Sequence, residues 1–122
     1  MATFLSTMID RAKSDKKTIV LPEGNDDRIL EAARKVVDQG IANIIVVGDP
    51  AEIASKGFNL EGVQVVDNTS GELREELAEG LFELRKAKGM TIEEARSLMD
   101  NVMYFSTMLL KTGRADGLVG GA

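Results

Sequence analysis

Apolar positions along the chain repeat at two spacings, one helical and one strand-like. Their order predicts an architecture. Phe4, Leu5, Met8, Ile9 and Ala12 recur at helical spacing, so residues 3–13 read as an amphipathic helix with one apolar stripe. Thr18-Ile19-Val20-Leu21 is a short β-branched run that Pro22 stops, which predicts a buried strand. Ile29, Ala32, Ala33, Val36 and Val37 then fall at i, i+3, i+4, i+7 and i+8. This is the clearest helix in the chain, with Asn25 as its expected N-cap, Asp26 and Asp27 at its positive end, and Gly40 closing it. Asn43 to Gly48 reads as a second strand. Asp49 as N-cap and Pro50 at the first helical position open a short helix that closes near Gly57. Val63-Gln64-Val65-Val66 is a third strand.

After Val66 the pattern is helical for a long stretch. Thr69 with Glu72 fits a capping box, and Leu73, Leu77, Leu81 and Leu84 continue as a helix toward Gly89. Thr91 with Glu94 is a second capping box, for a helix reaching about Met99. Asp100 or Asn101 caps another helix, Val102 to Lys111, which ends at Gly113. Asp116 to Ala122 reads as a fourth strand breaking into a Gly-Gly turn. Strands joined by helices of this length pair in parallel through right-handed crossovers. The expected fold is therefore a wound α/β one, a mainly parallel sheet flanked by helices.

Two features depart from a complete small domain. Val102 to Leu110 is apolar on almost every side, which predicts a helix buried all round and needing more cover than a small domain offers. The chain also stops on Gly120-Gly121-Ala122 just after a strand, where wound folds continue into a helix. Both point to a fragment of a longer chain and to an incomplete first domain.

Composition narrows the chemistry. The 122 residues carry 15 Lys plus Arg against 20 Asp plus Glu, a net charge of −5, with no cysteine and no histidine. Disulfides, thiolate or imidazole metal sites, a Cys nucleophile and a histidine base are excluded. The acidic balance argues against a general nucleic-acid binder. Residues 1–15 lack the long apolar stretch of a signal peptide, and no apolar run approaches the roughly 20 residues of a spanning helix. The expectation is a cytoplasmic protein that engages neither nucleic acid nor membrane.

The remaining candidates are few. Gly120-Gly121 lets a phosphate or carbonyl approach backbone N–H groups, although a plain turn explains the pair as well. Arg85-Lys86-Ala87-Lys88 closes its helix, where the dipole favours cations; read functionally, Arg85 offers a planar fork to an anion. Arg28 lies in the first turn, the wrong end for a cation, which makes it a candidate for an anion or active-site contact. Glu23, just past the first strand, is a base, a ligand contact or a partner to Arg28, the last being the preferred role.

Read together, Thr18 to Gly24, the Asp-Asp-Arg-Ile-Leu of residues 26–30 and Gly40 to Gly48 resemble the opening of the phosphate acetyltransferases. So do Phe82 to Thr91, the helix around Tyr104-Phe105 and Asp116 to Ala122. The resemblance covers the whole chain. Phosphate butyryltransferases and the C-terminal region of some malic enzymes share much of the pattern. It implies a two-domain α/β protein of the isocitrate/isopropylmalate dehydrogenase-like kind, a cleft between the domains, and a homo-oligomer, usually a dimer. Residues 1–122 then form its N-terminal α/β portion.

The implied reaction is reversible acetyl transfer between coenzyme A and inorganic phosphate, with acetyl-CoA and phosphate as substrates and neither metal nor bound cofactor. The resemblance places Arg85 on an arginine implicated in coenzyme A or phosphate binding. It places Arg28 near the cleft, and Gly120 and Gly121 at the strand end facing the acyl phosphate. It puts the catalytic residues beyond residue 122, so this chain alone is expected to be inactive. The alternatives are a non-catalytic acyl-CoA-sensing or oligomerisation module like the malic-enzyme region, or a phosphate butyryltransferase.

Overall fold

The computed structural model describes residues 16–119. The helix expected over residues 3–13 and the Gly120-Gly121-Ala122 turn lie outside the described residues.

Four strands form one parallel sheet in the order β3-β2-β1-β4: β1 Lys17–Leu21, β2 Ala42–Val47, β3 Val63–Val66 and β4 Gly117–Leu118. Among the described residues, five α-helices accompany them: α1 Asp27–Asp38, α2 Pro50–Ser55, α3 Glu72–Arg85, α4 Ile92–Leu98 and α5 Val102–Lys111. The sheet and the crossovers are those the hydrophobic pattern predicts. Register is fixed by burial, because Ile19 faces Ile44 and Val20 faces Ile45 across the first pair, and a one-residue slip would send every apolar side chain to the wrong face.

Alternation along the strands divides the core in two. Leu21, Ile44 and Val46 pack with Leu30 and Ala33 of α1 and Ile53 of α2. Val20, Ile45 and Val47 pack on the other face with Leu77, Ala78 and Leu81 of α3, Ala95 and Met99 of the α4 turn, and Phe105, Met108 and Leu109 of α5. β1 and β2 are thus buried on both faces, as their continuous apolar runs require.

Several ends differ from the sequence reading. Asp26, not Asn25, caps α1: its side chain accepts from the Arg28 N–H at 2.9 Å. The Thr69–Glu72 capping box does not form. Asp67 takes the Thr69 N–H at 2.8 Å and its hydroxyl at 2.6 Å, which leaves Gly71, at φ 98°, as the cap of α3. The helix stops at Arg85 and passes through a 3₁₀ turn, Lys86–Lys88, before Gly89. Thr91 does cap α4, its hydroxyl accepting from the Glu94 N–H at 3.1 Å. Asn101 caps α5. That helix carries more apolar surface than the chain covers, as its pattern implies: Phe105, Ser106, Met108 and Leu109 are buried, and Met103, Tyr104 and Leu110 face outward. Of the fourth strand, the described residues pair only at Gly117 and Leu118.

Candidate functional site

Three strands are added in one direction, β1 to β2 to β3, and β4 then returns to the far side of β1. The point of reversal therefore lies between β1 and β4. In wound sheets, ligands bind in the crevice outside the carboxyl ends of the strands at that point. Here the crevice is bounded by Pro22-Glu23-Gly24 after β1 and by Val119 after β4, whose N–H donates to the Val20 carbonyl at 3.1 Å.

The backbone at this edge is tightly set. The Gly24 N–H donates to the Val47 carbonyl, and the Gly48 N–H to the Val66 carbonyl, both at 3.0 Å. A Cβ on Gly24 would come within 2.7 Å of Ile53 Cδ1 and Val46 Cγ1 and 2.8 Å of the Val47 carbonyl oxygen. Only glycine lets the chain turn so close to β2.

Charge at this edge is mostly negative and largely paired. An open recess of about 540 Å³ is lined by Glu23, Asn25, Asp26, Asp27 and Lys56. Lys56 pairs with Asp27 at 3.0 Å. Arg28 pairs with Asp26 at 3.1 Å, so the preferred Glu23–Arg28 pair gives way to a contact two residues apart. The Arg28 side chain is 77% exposed, and its hydrogen bond holds the Asp26 carboxyl below the ordinary aspartate range. A second recess of about 270 Å³ lies over the ends of β1, β2 and β3; its lining includes Gly48, Asp49, Glu52, Asn68 and Asp100.

Asn68 anchors that second recess, and the sequence reading missed it. It is buried, and its amide donates to the carbonyls of Met99 and Asp100 at 3.0 and 3.1 Å, closing the end of α4. Arg74 bonds the Asn68 carbonyl, the Asp100 carboxylate and the Arg96 carbonyl, which ties the exit of β3 to the α4–α5 turn. The only sequence signal was an asparagine two residues past the end of a strand.

Arg85 lies elsewhere. It lines a cavity of about 190 Å³ between α3 and α5, with Leu81, Leu84, Tyr104, Thr107, Met108 and Lys111. No carboxylate lines this cavity, and among the described residues neither Arg85 nor Lys111 has an ion-pair partner. Its floor is apolar and its rim carries two cations and two hydroxyls, a lining suited to an anion attached to an apolar or aromatic body. Lys111, Tyr104 and Thr107 escaped the sequence reading because they stand far from Arg85 along the chain. The structure thus does not bring Arg28 and Arg85 into one cavity. Gly120 and Gly121 lie outside the described residues.

No described helix is long and apolar enough to cross a membrane. Residues 3–122 match the family described as phosphate acetyl/butaryl transferase. The chain is 47% identical to a phosphate acetyltransferase of Acetivibrio thermocellus, over 98% of this chain and 37% of the relative. It is 43% identical to one from Corynebacterium glutamicum, with the same two coverages. Among solved structures, the EutD phosphotransacetylase from Staphylococcus aureus superposes with a TM-score of 0.84 at 33% identity, over 98% of this chain and 38% of that one. A phosphotransacetylase from Streptococcus pyogenes gives a TM-score of 0.85 at 30% identity, over 99% and 39%. The chain spans little more than a third of the length of the relatives it matches.

Proposed function

The chain belongs to the phosphate acetyl/butaryl transferase family, and on that premise we propose that it is the N-terminal α/β portion of a phosphate acetyltransferase. The whole protein would carry an acetyl group from acetyl-CoA to inorganic phosphate, releasing coenzyme A and acetyl phosphate, and back. The observation that carries this reading is the 47% identity to a phosphate acetyltransferase across 98% of the chain.

The chemistry asks three things of a site: a more nucleophilic thiolate, a grip on phosphate, and stabilisation of a tetrahedral oxyanion. Charge separates the described residues by which of these each serves. The carboxyl edge near Glu23 is acidic and its cations are already paired, so it repels a phosphate unless groups from elsewhere neutralise it. The Arg85 cavity is the reverse. We assign Arg85 the contact to a phosphate of coenzyme A or to inorganic phosphate. Arg28 is left a lesser role near the cleft. Gly120 and Gly121 remain the proposed strand end facing the acyl phosphate, and the catalytic groups are placed beyond residue 122.

No cofactor is invoked besides coenzyme A as substrate. A cytoplasmic location suits a reaction on acetyl-CoA, and a homo-oligomer is supported by the outward-facing Leu84, Met103, Tyr104 and Leu110.

The test is the exchange assay, acetyl phosphate plus coenzyme A to acetyl-CoA, on this polypeptide and on the product of the complete reading frame. Activity in the longer product and not in this chain is expected. Inactivity of both would favour an acyl-CoA-sensing module, and preference for butyryl phosphate would make the protein a phosphate butyryltransferase.

A further inference from the structure

The cavity that holds Arg85 is built from one face of each of two helices. Tyr104, Thr107 and Lys111 fall at i, i+3 and i+7 on α5, and Leu81 and Arg85 at i and i+4 on α3. Arg85 and Lys111 are the last residues of their helices, so the negative end of each helix dipole supports its cation. With no carboxylate in the lining, both charges stay open to an outside anion. The space is about 190 Å³, below the ~300 Å³ at which pockets for drug-sized ligands begin. Cations on a rim above leucine and methionine side chains fit a small anion with an apolar tail.

We propose that this cavity binds small acyl phosphates, the class to which acetyl phosphate belongs, and that Lys111 is acylated there. The inference rests on the proposed transferase reaction only for the source of the acyl phosphate. The phosphate group meets the guanidinium fork of Arg85, and the acyl tail lies against the apolar floor. The carbonyl carbon of the mixed anhydride then sits between them, at the rim where Lys111 stands. The neutral Lys111 amine adds to that carbon through its lone pair. The bond from carbon to the bridging oxygen breaks, and phosphate leaves with that electron pair. The amine proton passes to water, and an N-acyl lysine results. Holding both reactants in one cavity raises their effective concentration, which the other lysines lack. The neutral amide removes one of the two charges, so accumulating acyl phosphate weakens its own site.

Lys35 and Lys88 serve as internal comparisons. Both are exposed, neither lines this cavity, and among the described residues neither has an ion-pair partner. The complete protein is incubated with acetyl phosphate, and acetylation is followed lysine by lysine by mass spectrometry. Lys111 should acetylate at least about tenfold faster than Lys35 or Lys88. Arg85→Ala should bring the Lys111 rate within about twofold of theirs while leaving theirs unchanged. In the parent, inorganic phosphate should protect Lys111 selectively, judged against sodium chloride at equal ionic strength; this reading needs no variant. Even labelling of the three lysines would overturn the proposal. So would a fast Lys111 that ignores both Arg85→Ala and added phosphate. Labelling requires no turnover, so exchange activity with even labelling sinks this inference alone. Selective labelling without exchange activity upholds it and sinks the transferase reading.

Discussion

Two recesses of this molecule carry charge in opposite ways. At the carboxyl edge of the sheet, the cations are held by neighbouring carboxylates: Arg28 by Asp26 and Lys56 by Asp27. Between α3 and α5, Arg85 and Lys111 share a carboxylate-free cavity. A paired cation has its fork occupied and its field cancelled, so recruiting it for a ligand means breaking a contact. An unpaired cation over an apolar floor has no such cost. Position in the fold alone would have favoured the carboxyl edge; the pairing state favours Arg85 for the anion.

The comparison breaks most severely at Gly24, because the carboxyl edge depends on the chain turning tightly there. Gly24→Ala pushes a methyl against the Val47 carbonyl oxygen, and backbone cannot yield as a side-chain end can. Overpacking of this kind should destabilise by up to ~3 kcal/mol, read as a lower urea midpoint at unchanged slope. A midpoint within error of the parent would show that the edge is looser than described. Asn68→Ala comes next. It strips the buried amide from two carbonyls and should cost about 1–2 kcal/mol, without altering the Arg85 cavity, which shares no residue with the Asn68 network.

The smallest effect is that of acid on Asp67. Hydrogen bonds from the Thr69 side chain and backbone hold its carboxyl below the ordinary aspartate value. The folded pKa is thus lower than the unfolded one. Its contribution is full above the unfolded value and is lost as pH falls through the folded one. Melting temperatures at pH 7 and near pH 3 should therefore converge more closely in Asp67→Asn than in the parent.

The sheet was legible because its signals are local. Ile44 to Val47 announces a strand buried on both faces, and the Asp49-Pro50 pair announces a helix start, whatever the rest of the chain does. Capping was legible where one acceptor had no rival, as at Thr91, and failed at Thr69 because Asp67 captured both its N–H and its hydroxyl. The apolar excess of α5 was legible, and Met103, Tyr104 and Leu110 are left uncovered as that excess implies; which side lacks cover was not legible, because apolar content says how much surface wants cover and not which side receives it. The site was legible only one residue at a time. Arg85 stood out, but Lys111 and Tyr104 join it through the packing of α5 on α3, which no local spacing encodes. Arg28 also stood out, and its short-range pairing with Asp26 rather than Glu23 depended on side-chain directions that the sequence does not state.

The most direct measurement sets the two arginines side by side in the complete protein, as kcat/KM for coenzyme A in Arg85→Ala and Arg28→Ala. The loss of a charge-assisted contact at Arg85 should cost roughly 2–3 kcal/mol, a fall of about 30- to 150-fold, while Arg28→Ala stays within about threefold of the parent. Equal losses, or a larger loss at Arg28, would contradict the assignment of the anion contact to the unpaired cavity.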